Sequence, residues 1–159
     1  MTYIERSLGE GEQLIARARF HWLYDVATWA ALLVSVAVAI AVFVLFDDLN
    51  REALEIVAFV VLVLGAIVFL QRMIRKWTTE IGVTSHRFVK KTGWLSLRTD
   101  EIALPNIEGV RVFQGLWGRL FGYGRLRIEG TGVDAVTLPA IADPVGFRRA
   151  IETAKGIKP

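Results

Sequence analysis

The chain has 159 residues, 53% of them hydrophobic and 22% charged, with a formal net charge of +3 and no cysteine. A soluble domain of this length carries less apolar material, so part of the surplus has to be buried outside a globular core. The missing cysteine excludes disulfides, thiolate zinc sites and cysteine nucleophiles.

The first segment, residues 1–25, is polar and ends in "EQLIARARFHW". There Leu14, Ala16, Ala18 and Phe20 alternate with Ile15, Arg17, Arg19 and His21. Two readings stay open: an extra strand added to a sheet edge that would otherwise stay unpaired, or a short helix leading into a membrane span. The next run, "VATWAALLVSVAVAIAVFVLF", residues 26–46, carries no charge. About 20 apolar residues cross a hydrocarbon core of about 30 Å at 1.5 Å per residue, and this run reads as a transmembrane helix. A second run, "IVAFVVLVLGAIVFL", extends to residues 54–73, with Glu55 and Arg72 snorkelling at its ends. The loop "DDLNREALE" between them, with Asp47, Asp48, Glu52 and Glu55 against Arg51, is short and acidic. Residues 26–73 therefore predict a transmembrane hairpin.

Lys and Arg avoid translocation; Arg17 and Arg19 precede the first span, and Arg72, Arg75 and Lys76 follow the second. Both termini are expected in the cytoplasm, with Trp22, Tyr24 and Trp77 at that same interface. Cleavage of the first run as a signal peptide is not expected, because the preceding segment is long and carries Glu5, Glu10, Glu12 and Asp25.

From residue 74 the pattern changes to short blocks of period two separated by turn residues. Strands are predicted over residues 78–83, 87–92, 95–104 with a break, 109–114, 125–130 and 134–138. The clearest is "RLRIEG", where Leu126 and Ile128 alternate with Arg125, Arg127 and Glu129. Such alternation fits an antiparallel meander with one dry face. The glycines of "GLWGRLFGYG" read as turn and bulge residues. The chain closes on "DPVGFRRAIETAKG", with Asp143 as N-cap, Pro144 at the first helical position, and Phe147, Ala150, Ile151 and Ala154 on one stripe. One amphipathic helix after a small antiparallel sheet should cover the sheet's open side.

The segments "GEQLIARARFHW", "TTEIGVTSHRFVKKTGWL", "IALPNIEGVRV", "RLFGYGRLRIEG" and "IADPVGFRRAI", with the spacing of Thr84, Arg87 and Gly93, resemble the membrane-anchored bacterial pleckstrin-homology-like proteins of the YdbS-like group. The resemblance covers nearly the whole chain apart from the spans, which share only hydropathy. It implies a fold in which residues 74–159 form a PH-like, partly open antiparallel β-barrel of about seven strands capped by the C-terminal helix. Eukaryotic pleckstrin-homology domains hold phosphoinositides with bases around their first two strands, whose nearest equivalents here are Arg87, Lys90 and Lys91. Their lysine-to-Arg-x-Arg pattern is missing, since Val89 stands where the last arginine would.

No catalytic constellation is visible. His21 and His86 lie far apart in the chain, and no carboxylate pair, H-x-x-x-H or Lys-Ser/Thr after a glycine loop is present. No enzyme, metal, cofactor or small-molecule substrate is expected. Residues 71–159 hold fifteen Lys or Arg against eight Asp or Glu, but the bases are not interleaved with stacking aromatics, so nucleic acid is not the expected partner. Anionic lipid is the better match, with Arg72, Arg75, Lys76, Arg87, Lys90 and Lys91 as candidate headgroup contacts. Two more surfaces suit a protein partner. Ala27, Ala31, Ser35 and Ala39, repeating every fourth residue, with Gly65 on the second span, form a small-residue face for helix packing. Leu116, Trp117 and Phe121 form an apolar loop cluster, expected to be tucked under the barrel end by the resemblance. The reading is an adaptor, scaffold or assembly factor on the bacterial inner membrane, serving a membrane-protein partner or a homo-oligomer. Its alternative is an anionic-lipid-sensing module.

Overall fold

The computed structural model describes residues 2–45 and 50–156. The chain divides into two compact units, one formed by the helical segment Trp22–Lys76 and one by the N-terminal segment to His21 together with the chain from Trp77 onward.

In the helical unit, α2 (Trp22–Leu45) and α3 (Arg51–Thr78) run antiparallel. At 1.5 Å per residue they are about 36 and 42 Å long, and both are apolar and long enough to cross a membrane. Both overrun the predicted spans. Trp22 and Tyr24, read from sequence as preceding the first span, form the opening turn of α2, and Arg51–Glu55 of the expected loop already belong to α3. Phe46, Asp47 and Asp48 lie outside the described residues. Only 17% of the most apolar window of each helix is buried, whereas a core helix of a soluble protein would be covered all round.

The β unit begins with a four-residue helix, α1 (Tyr3–Arg6), and then β1 (Leu14–Ala18). β1 pairs antiparallel with β2 (Glu80–Thr84), so the N-terminal segment does supply a strand, and the whole helical hairpin is inserted between two neighbouring strands. A bulge between Leu14 and Ala16 interrupts the alternation read from sequence, and Ile15 joins Ala16 and Ala18 against the core. β3 (Arg87–Thr92) and β4 (Arg98–Ala103) complete the sheet β1-β2-β3-β4. A 3-10 turn, Leu104–Asn106, makes the corner into the second sheet. Its strands are β5 (Ile107–Phe113), β6 (Tyr123–Gly130) and β7 (Val133–Thr137) in that order, with the two-residue β8 (Ile141–Ala142) also on β6. The chain just after β1 joins the sheets: Phe20 bridges Ile141, and Ala142 N–H donates to the Arg19 carbonyl.

Two details differ from the sequence reading. The strand expected over 95–104 starts only at Arg98, because Gly93, at φ +104°, turns so tightly that a Cβ there would lie 1.8 Å from the Ser96 carbonyl. The glycine-rich stretch read as turns contains a six-residue helix, α4 (Leu116–Phe121), closed by left-handed Gly122.

α5 (Pro144–Gly156) packs its stripe of Phe147, Ile151 and Ala154 on a core of Val83, Phe88, Ile102, Leu126, Ile128 and Ile141. Asp143 caps it as expected, its Oδ1 accepting from Gly146 N–H at 2.9 Å. The fold is therefore a helical hairpin plus an antiparallel two-sheet unit capped by a C-terminal helix.

Candidate functional site

Of the expected headgroup bases, Arg87 is the most tightly engaged. Its Nη2 donates to Glu12 Oε2 at 3.0 Å and to the Ser7 carbonyl at 2.7 Å, its Nε to Glu12 Oε1 at 3.1 Å, and its Nη1 to Glu101 Oε2 at 2.9 Å. Thr84 joins the same cluster: its hydroxyl donates to Glu12 Oε1 at 2.6 Å and accepts from the His86 and Arg87 N–H groups. Thr84 and Arg87 thus close the β2–β3 turn and strap the N-terminal segment over the outer face of the first sheet. Ile4, fully buried, packs there over Gly82, and the Glu80 carboxylate accepts from the Tyr3 and Ile4 N–H groups at 3.2 Å. Burial alone would raise the Glu12 carboxyl. The Gly9 N–H, the Thr84 hydroxyl and the Arg87 guanidinium outweigh it and hold the group below the usual carboxylate range. The spacing of Thr84, Arg87 and Gly93 marks these turns; Glu12, 72 residues away from Thr84, gave no local signal.

Lys90 lies 3.6 Å from Asp100 and donates to the Thr137 carbonyl, tying the two sheets, and Lys91 stands over the Tyr3 ring at 5.8 Å. In the helical unit Arg72 stacks on Tyr24 and donates to the Thr28 hydroxyl at 3.0 Å, while Lys76 pairs with Asp25 at 2.5 Å; Arg75 is exposed. Within the β unit, Arg87 and Lys90 are thus engaged by carboxylates of the unit itself, and within the helical unit Arg72 and Lys76 are engaged by α2.

The helix-packing residues do come together in part. Ser35 and Ala39 are buried and Ala31 half-buried. A Cβ added to Gly65 would lie 2.1 Å from Ser35 Oγ, so these two positions set the closest approach of the pair. Ala27 is exposed, and Thr28, one residue on, takes the seam position because the contacts follow seven-residue spacing to Ser35 rather than a strict fourfold one.

The loop cluster differs most from expectation. Leu116 is 85% exposed, Trp117 66% and Phe121 41%, with Trp117 stacked on Phe121 at 6.0 Å. These residues are on the surface rather than tucked under the barrel. Leu120 is exposed beside them, and so are Trp94, Leu95 and Leu97 in the β3–β4 loop, of which Leu95 and Leu97 fall in the stretch read from sequence as a strand with a break.

Strand register places both groups at one end of the β unit. The β3–β4 loop follows the pair Thr92↔Arg98, next to Glu80↔Lys91, where β2 begins. α4 leads into Tyr123, which pairs with Ala142 and whose ring lies 5.3 Å from that of His21, the residue just before α2. The remaining large exposed hydrophobics described in this unit share that end. Trp77 precedes β2, Phe113 closes β5 opposite Arg125, and Val145 opens α5, whose cap Asp143 bonds to the Gly122 carbonyl. The opposite end consists of Ser85 and His86, Pro105 and Asn106, and Thr131 and Gly132.

Among the described residues no group of three His, Cys, Asp or Glu side chains is placed to hold a metal. A shallow recess between β1, β8 and α5 is lined mainly by Ala16, Ala18, Ala142 and Phe147, with Arg17 and Asp143 at its margin.

A family model, the bacterial PH domain, matches residues 19–152 and spans the helical hairpin as well as the sheets. No curated protein and no solved structure matches the chain. The chain belongs to the bacterial PH domain family.

Proposed function

Starting from that membership, we propose that the protein is a non-enzymatic adaptor or assembly factor. α2 and α3 anchor it in the bacterial cytoplasmic membrane, and the PH-like unit meets a membrane-protein partner, or a second copy of the chain, at the cytoplasmic face. One observation carries the reading: β1 and β2 are hydrogen-bonded neighbours in one sheet, although the two apolar helices lie between them in the chain. A sheet cannot be divided across a bilayer, so the helices cross as a pair and both ends return to the same side. The bases Arg19, Arg72, Arg75 and Lys76 flanking the helices support the cytoplasm as that side. Tethering a recognition unit there raises its effective concentration toward any partner in the same membrane.

The adaptor reading is favoured over headgroup sensing because Arg87 is matched by Glu12 and Glu101, and Lys90 by Asp100. A guanidinium already paired with two carboxylates gains little from a phosphate. The experiment is recovery of the tagged full-length chain from its native membrane in mild detergent, with protein and lipid analysis. A stoichiometric membrane protein or a dimer is the expected outcome. Recovery of the chain alone with enriched anionic lipid, lost on Lys90→Ala with Lys91→Ala, would replace the adaptor by a lipid-sensing module. Topology is read separately from Asn50→Cys in this cysteine-free chain. The thiol should react with an impermeant reagent from outside, and protection there would overturn the orientation.

A further inference from the structure

We propose that the apolar end of the β unit is a membrane-inserting rim. Trp94, Leu95 and Leu97 of the β3–β4 loop and Leu116, Trp117 and Leu120 of α4 sink into the interfacial layer of an anionic bilayer. This inference rests on the reading that α2 and α3 span a membrane. Three observations select lipid rather than protein as the occupant.

The rim lies at the end of the β unit from which the chain leaves for α2 and to which it returns from α3. Three residues separate β1 from α2, and one separates α3 from β2. A connection of n residues reaches at most about 3.6 Å × n, so this end of the β unit is the one tied by short connections to the two apolar helices. The residue types are those of an interfacial layer, where tryptophan and leucine enter the headgroup and acyl boundary and arginines remain at the phosphates. Residues 93–98 and 115–125 contain Arg98, Arg119 and Arg125 and no acidic residue. Finally, the exposure is one-sided. Leu95 is 92% and Leu116 85% exposed, whereas the far-end turns carry serine, histidine, asparagine, threonine and glycine. A general solubility defect or a random scatter of surface apolar residues would not gather at one end.

The rim also gives Arg119 a role the headgroup candidates named from sequence do not fill. It flanks the inserted side chains at the depth of the lipid phosphates, as a loose charge contact without an enclosed pocket, while Arg98 is held by Asp100 at 3.3 Å.

The test uses the full-length chain in vesicles of phosphatidylethanolamine and phosphatidylglycerol, labelled with an environment-sensitive fluorophore at single cysteines: Leu95→Cys, Leu116→Cys, Thr131→Cys at the far end, and Val38→Cys within α2. Lipids carrying a nitroxide near the headgroup should quench the first two several-fold more than Thr131→Cys, and aqueous iodide should show the reverse order. The emission of the first two should lie to the blue of the third. If Leu95→Cys and Leu116→Cys are quenched by iodide like Thr131→Cys while deep nitroxide quenches Val38→Cys, the helices span but the rim does not insert, and the proposal fails alone. Shielding of the rim from both quenchers means that protein covers it, which also overturns the proposal. Loss of quenching at Val38→Cys as well overturns the membrane reading itself.

Discussion

Large side chains fill the interior of the β unit, where Phe88, Leu126 and Ile128 have no exposed surface, whereas the buried positions of α2 and α3 are mostly small, Thr28, Ser35, Ala39 and Ala58 beside the larger Leu54, with Gly65 set against Ser35 and a Trp29–Phe69 ring contact at 4.9 Å. On the helices most of the large residues point outward instead: Leu33 is 65% and Leu45 73% exposed. The two packings suit two solvents, water around the β unit and, on the proposed membrane reading, lipid around the helices. In water, removing apolar area from the solvent drives assembly, so the biggest hydrophobic groups go inside. In lipid the surroundings are as apolar as leucine, so the helices gain chiefly from close approach, which small residues permit.

Changing the same residue type in both regions is the strongest way to break that comparison. Leu126→Ala should cost about 2–5 kcal/mol through lost burial and a cavity. Leu33→Ala should stay within about 0.5 kcal/mol. Denaturant unfolding of the detergent-solubilised chain measures both, and equal losses would sink the two-solvent account. The converse change enlarges a small residue: Gly65→Val meets Ser35 Oγ directly and should destabilise the helix pair by about 1–3 kcal/mol. It should lower the thermal midpoint of the helical signal and leave the near-UV signal of the sheets in place.

A third experiment sharpens the comparison within the β unit, where charge as well as apolar burial holds the N-terminal strap. The Glu12 carboxyl has a depressed pKa when folded. Its contribution is therefore complete above the usual glutamate range and disappears as pH falls through the depressed folded value. Glu12→Gln should cost about 1–3 kcal/mol at neutral pH, because it removes one partner of Arg87. It should also flatten the acid limb of the stability profile, and an unchanged acid limb would contradict the role given to Glu12. The smallest effect is at the α5 cap: Asp143→Ala should cost about 1 kcal/mol, read as a modest shift in the unfolding midpoint.

The parts legible in sequence were those encoded by local pattern. The two apolar runs, the period of β6, the stripe of α5 with its Asp143 cap, and the segments that resemble the bacterial PH family all rest on neighbouring residues. β1 was only half legible, because its bulge breaks the alternation between Leu14 and Ala16. α4 was hidden by Gly115, Gly118 and Gly122, which read as turn residues although they bracket a helical turn. The pairing of Arg87 with Glu12 and Glu101 was illegible, since an arginine in an isolated strand looks equally suited to a headgroup, and only the tertiary register brings the carboxylates to it. Exposure was illegible for the same reason: Leu95 and Leu116 have the apolar character of core residues, and the turns that carry them outward follow from Gly93 and from the β5–β6 connection.

The insertion of the hairpin between β1 and β2 has a consequence for how the protein is made. β1 leaves the ribosome first, yet its hydrogen-bonding partner lies beyond α3, more than sixty residues later. At about 5–20 residues per second of synthesis, the strand waits on the order of several seconds with its edge unpaired. During that interval, on the proposed membrane reading, both helices pass into the bilayer and turn back. The β1–β2 edge therefore closes only after both helices have been synthesised, and on the proposed membrane reading its two strands meet on the side to which the inserted helices return.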